Sequence, residues 1–177
     1  MGNYCTVAQV QARIRSDFSD RDLETAIEAA TKRIIEECGK REFEESASES
    51  RAFEAVRDGF CVIDDLLTVS AVTWEDGAVD EDVYSLKPGG SRTPKWAILG
   101  PWYEGDEVTI TGTWGYSESV PADIRDACIE WVVRSIKRAD SGYGDTSAIP
   151  ELGQLIYQKA IPAEVLRVLE RYQRKVP

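Results

Sequence analysis

The sequence predicts an α+β fold: a helical core, an inserted antiparallel β domain and a C-terminal helical arm. Three observations predict it. Apolar residues recur at helical spacing before residue 40 and again after residue 120. Between residues 51 and 116 the period drops to two and β-branched residues are frequent. Turn dipeptides such as Asp76-Gly77 and Gly89-Gly90 punctuate that middle stretch. The chain divides into N-terminal helices over 1–45, a β region over 51–116, a core helix over 120–140, and a hinge plus arm over 141–177.

Each element has a local cause. Thr6 and Gln9 form a capping-box pattern, which predicts a short helix with Val7, Val10 and Ile14 on one face. Ser19 or Asp20 caps a second helix, and Asp22 and Glu24 suit its positive end. Leu23, Ala26, Ile27, Ala30 and Ile34 supply its apolar stripe, and Gly39 suits the left-handed residue that ends it. A short turn between them predicts a helical hairpin. Lys40 to Ser50 reads as a polar linker. Leu67 to Trp74, Val83 to Leu86, Lys95 to Leu99 and Val108 to Trp114 read as strands in a sheet of four to six. The last alternates cleanly, with Val108, Ile110 and Trp114 on one face and three threonines on the other. Pro121 opens the long helix near 121–138, where Ile124, Ala127, Cys128, Trp131 and Val132 make the stripe. Ser141 to Asp145 reads as a flexible break and 146–160 as a loop or short helix. Pro162 opens the final helix.

Charge and composition remove several function classes. There are 21 Lys+Arg against 32 Asp+Glu, a net charge of −11. That argues against gripping duplex DNA, which needs a basic face. The chain has no His, so His-based acid/base catalysis, Ser-His or Cys-His nucleophiles and His metal ligands are excluded. The four cysteines, Cys5, Cys38, Cys61 and Cys128, have apolar neighbours and no C-x-x-C spacing. They read as buried thiols in a reducing compartment. Lys87 to Arg92 lacks the spacing of a phosphate loop. No apolar run approaches the ~20 residues of a membrane span. The residues therefore predict no catalytic set, no metal site, no cofactor and no membrane partner. Carboxylates are the only acid/base groups, and neighbours such as Asp64-Asp65, placed before a strand, point to opposite faces.

Two segments stand out as contact surfaces. Residues 161–177 carry a net charge of +2 on an otherwise acidic chain. The last helix, with Val165, Leu166, Leu169 and Tyr172 apolar, reads either as a solvated terminal helix or as an arm that docks into an apolar groove of a partner, with Arg167, Arg171, Arg174 and Lys175 rimming the contact. Four of the five tryptophans lie in or beside the predicted sheet, which suits a sheet-to-helix core in which Trp131 meets Trp114. Trp102 and Tyr103, in a Gly-Pro-Trp-Tyr-Glu-Gly loop, are the candidate exposed anchors.

A family resemblance sharpens this reading. Ile110-Thr111-Gly112-Thr113-Trp114-Gly115-Tyr116, followed by Val120-Pro121-Ala122-Asp123-Ile124-Arg125, resembles the head-tail connector (head-completion adaptor) proteins of tailed bacteriophages. The opening Tyr4 to Val10, the Cys38-Gly39-Lys40-Arg41-Glu42-Phe43 exit and the Ile161 to Leu166 start of the arm are similar in style. The resemblance implies a structural virion protein in the neck between capsid and tail, assembled in the host bacterial cytoplasm. It implies a homo-oligomeric ring of about twelve copies beneath the portal protein. Packaged DNA would pass through without specific binding, and the ring would present a surface to the stopper or tail-completion protein. The portal-docking role falls on Val165, Leu166, Leu169 and Tyr172, with Arg171 and Arg174 as polar support. Trp102 and Tyr103 are candidates for subunit or tail-side contact. The competing classes are a stopper or tail-completion protein of the same neck, and a hydrolase using carboxylates alone.

Overall fold

The computed structural model describes residues 2–14, 18–75, 77–140, 146–149, 154–157 and 161–174. It is an α+β structure with, among the described residues, four helices and a six-stranded antiparallel sheet. The helices are α1 (Val7–Gln11), α2 (Asp20–Glu37), α3 (Ala122–Asp140) and α4 (Ala163–Tyr172). The sheet contains β1 (Glu49–Arg57), β2 (Phe60–Trp74), β3 (Gly77–Ala78), β4 (Ser85–Lys87), β5 (Lys95–Leu99) and β6 (Glu107–Trp114). Two further strands, β7 (Thr146–Ile149) and β8 (Gln154–Tyr157), pair with each other in a second sheet. The chain folds as two compact units. The β unit holds Lys40–Val120 and Arg174; the helical unit holds Gly2–Gly39 and Pro121–Gln173.

In the helical unit the caps are those the residue types dictate. Thr6 Oγ1 accepts from Gln9 N at 3.3 Å, and Gln9 Oε1 accepts from Thr6 N at 2.9 Å. Ser19 caps α2 by accepting from Asp22 N at 3.2 Å. Gly39 takes φ 73°, a conformation that costs a residue with a Cβ, and so lets the chain leave α2. Leu23, Ile27, Ala30 and Ile34 are buried along α2, and Ile124, Cys128, Trp131 and Val132 along α3.

In the β unit the sheet order is β1-β6-β2-β5-β4, with β3 on β2 and an added β1–β2 pairing. Strand β2 is 15 residues long and reaches β1, β3, β5 and β6. Val108, Ile110 and Trp114 point into the core and are fully buried, while Thr109, Thr111 and Thr113 alternate outward. Gly112 belongs to the buried face because β2 crosses there: a Cβ would lie 2.0 Å from Thr68 O. Trp114, packed against Phe53 with ring centroids 5.3 Å apart, anchors this core with Leu66, Ile98 and Val72.

Three readings of the sequence change here. Thr146–Ile149 and Gln154–Tyr157 pair as antiparallel strands, in register Thr146↔Tyr157 to Ile149↔Gln154, where the sequence reads as a loop or short helix. Pairing between the two segments, which no periodicity records, selects the strand. Strand β1 begins at Glu49, inside the stretch read as a polar linker, because its partner β6 supplies the pairing from Glu49↔Gly112 to Glu54↔Glu107. Asp64 and Asp65 lie inside β2 and not before it. The predicted break at Ser141–Asp145 and Lys175 lie outside the described residues.

Candidate functional site

The arm begins at Pro162 and runs through α4. Val165 and Leu169 are 1% and 0% exposed, Leu166 and Tyr172 are half-buried, and Arg167 is exposed. The face expected to meet a partner is therefore seated on the chain's own helical unit, where α4 packs on α3. Polar contacts hold it. Tyr172 OH donates to Asp123 at 2.8 Å, and Arg171 Nη2 lies 3.3 Å from the same carboxylate. Asp123 thus serves twice, at the positive end of α3 and as the anchor of the arm. Cys38 Sγ faces Leu169 O at 3.8 Å, and Gln173 Nε2 donates to Glu37 O at 3.5 Å.

Two residues beyond α4, Arg174 joins the β unit. Its Nη1 bonds Asp64 Oδ1 at 2.9 Å, and its Nη2 donates to Ile63 O. It completes a cluster of three guanidinium groups and several carboxylates. Arg51 bonds Asp64 at 3.0 Å, Glu42 at 3.2 Å and Glu49 at 2.6 Å. Arg41 Nε lies 2.6 Å from Asp65 Oδ2. Adjacent residues on a regular strand diverge, yet both aspartates reach this cluster. The pairing of β2 with β5 shifts register between Val62 and Leu66, and with β6 between Leu66 and Thr68. These irregularities allow the convergence that alternation forbids.

The electrostatics follow from burial. Asp65 is 5% exposed. Desolvation raises its pKa, and the attraction of Arg41 and Arg174 only partly offsets that. Burial works against the charge of Arg51, but its bonds to Glu49, Glu42 and Asp64 outweigh that and raise its pKa. The guanidinium groups also stack: Arg41 lies 5.0 Å from the centroid of Tyr116, and Arg51 5.0 Å from that of Trp114. A hydrolase pair would need two carboxyls free to face a substrate across a gap of about 5–10 Å. Here both carboxylates are occupied by arginines, so the cluster is arranged to hold segments together. Among the described residues no group of three or more Cys, Asp or Glu is placed to hold a metal ion. No described helix is long and apolar enough to cross a membrane.

The loop after β5 corrects one expectation. Trp102 is not an exposed anchor: it is 1% exposed and belongs to the β core. The Gly100-Pro101-Trp102 turn folds the indole over Gly100, where a Cβ would lie 2.3 Å from the ring. Trp102 O accepts from Gly59 N at 2.8 Å. Tyr103, its neighbour, turns outward and is 64% exposed. Its backbone N donates to Asp106 Oδ2 at 2.8 Å, an atom that also accepts from Trp74 Nε1 at 3.0 Å. Val56, 56% exposed, lies on β1 close by, since Ala55 N bonds Asp106 O and Gly105 N bonds Ala55 O. The composition singled out the loop; only the turn decides which aromatic faces out.

Comparison with known proteins bears on the fold. No protein-family model matches the chain, and no curated protein matches it. A solved structure described as the neck of an empty GTA particle, computed with C6 symmetry, does match. The TM-score is 0.59 at 18% identity, covering 97% of this chain and 90% of that one. The likeness is one of fold and runs nearly end to end, through both the helical and the β elements.

Proposed function

We propose that this chain is a structural protein of a phage or phage-like neck, acting as a head-tail connector. The observation that carries the reading is the fold shared with a neck component over 97% of the chain. The motif resemblance around Thr111 to Arg125 points the same way. In this reading copies form a ring under the portal, continue the DNA channel and offer a surface to the stopper or tail-completion protein. The net charge of −11 suits a channel wall over which a duplex slides. A ring needs two different surfaces on each subunit; Tyr103 and Val56 are candidates for one of them. The role is mechanical and no catalysis is assigned. The protein would be made in the host bacterium and reside in the virion.

The arm is the proposed portal contact. Leu166, Tyr172, Arg171 and Arg174 are its accessible or partly accessible members. Val165 and Leu169 could take part only if α4 left its seat on α3.

Electron microscopy of the protein mixed with the portal ring encoded beside it tests the reading. A collar with the portal's rotational symmetry is expected. Deleting 161–177 would also remove buried Leu169, so a gentler variant is needed. Leu166→Glu with Arg167→Glu, checked for folding by circular dichroism, should lose the collar. A wild-type protein that never decorates the portal, but assembles alone into rings or tubes, would move it to the tail side of the neck. A variant that binds as the wild type does would remove the arm from the contact.

A further inference from the structure

Cys5 and Cys128 meet inside the helical unit. Their Sγ atoms lie 3.5 Å apart, and both side chains are buried, at 4% and 0% exposure. Neighbours fix the approach. Tyr4 N donates to Thr31 Oγ1 at 3.3 Å, and the same hydroxyl lies 3.9 Å from Cys128 Sγ. Thr6 then caps α1, so Cys5 is held between two anchored residues. Sulfur atoms in a disulfide are about 2.05 Å apart, so a modest side-chain movement would close the gap.

We propose that Cys5 and Cys128 are a redox-modifiable pair that closes to an intramolecular disulfide on meeting a small disulfide oxidant such as oxidised glutathione. The roles of the two sulfurs differ. The contact with Cys128 lowers the pKa of Cys5, and the same contact together with burial raises that of Cys128. Cys5 is therefore the attacking thiolate. It displaces one thiolate from the oxidant and forms a mixed disulfide. Cys128 sulfur then attacks Cys5 Sγ, the protein S–S bond forms and the second small thiolate leaves. The two thiol protons end on the two small thiols, and the protein's two electrons reduce the oxidant. Attack needs the segment before α1 to lift briefly, a local opening short of global unfolding.

The other two thiols are differently placed. Cys61 lies in the β unit, faces Glu54 O at 3.5 Å and has its pKa pushed up to about 11 by burial. Cys38 faces a carbonyl of α4. The bond would tie the segment before α1 to α3 across 123 residues and restrict the unfolded chain strongly. Its timing rests on the neck reading: the protein is made in a reducing cytoplasm and released particles meet oxidising surroundings.

The full-length protein, first reduced and then incubated with oxidised glutathione, provides the test. Thiols counted in denaturant should fall from the four of the sequence to two. Peptide mapping should join Cys5 to Cys128, and the thermal midpoint should rise and return with reductant. Cys5→Ser should lose the rise. A count that stays at four, or a map joining any other pair, overturns the proposal without any variant having to fold. Particles probed before and after release test the timing separately. If the pure protein oxidises but released particles stay reduced, the timing fails and the bond stands.

Discussion

Trp114 and Trp102 are both buried indoles, and one bond separates them. Trp114 Nε1 donates to Glu49 O at 3.0 Å, whereas Trp102 Nε1 is buried with no hydrogen-bond partner among the described residues. Replacing either with Phe removes similar volume. Only Trp114→Phe also breaks a hydrogen bond, so it should cost about 1 kcal/mol more in urea unfolding. Equal costs would mean that Trp102 does have a partner. Asp65 makes a pH prediction. Its pKa is raised in the fold, so the native state binds that proton more readily than the unfolded chain. Its contribution to stability therefore falls as pH rises through the native value, and it is level below the unfolded value near ~4. Asp65→Asn removes that slope. The urea midpoint of the variant should gain on the wild type between acid and neutral pH. Parallel profiles would show that Asp65 titrates normally in the fold.

Helix α4 shows how an element can look like a docking arm and still be part of the core. Its ten residues carry a pronounced apolar stripe, and a stripe records only that something covers it. Here α3 covers it. Leu169→Ala should cost roughly 3 kcal/mol, whereas exposed Arg167→Ala should stay within about 0.5 kcal/mol. A near-neutral Leu169→Ala in thermal or urea unfolding would mean that α4 does not stay seated. Strand β2 makes the complementary point. Its 15 residues pair with four other strands, and its register shifts let Asp64 and Asp65 serve one cluster. That cluster was invisible in the sequence because its members span residues 41 to 174 and strand alternation argued against it. The caps on α1 and α2 were legible, because each is written within four residues.

At the scale of the whole molecule, charge is the property that composition settles. With a net charge of −11 the protein should show no shift of duplex DNA at physiological salt, in a gel or by anisotropy. Tight, salt-dependent binding would sink the passive-channel reading. Assembly is a different matter. Tyr103 is a candidate for contacts between copies in the proposed ring, and surface residues follow their partner rather than a local pattern.

By itself the sequence determined the α+β class, the alternation of β6, the helix caps and the absence of histidine chemistry. Each depends on neighbours within one turn or one strand, where geometry repeats and spacing can be read. Only the tertiary structure decided that Trp102 is buried and Tyr103 is not, that α4 is seated on α3, and that β7 pairs with β8. It also brought Arg41, Arg51, Arg174, Asp64 and Asp65 together, and set Cys5 beside Cys128. These depend on contacts between residues far apart in the chain. Burial and pairing energies act there, and no local periodicity carries them.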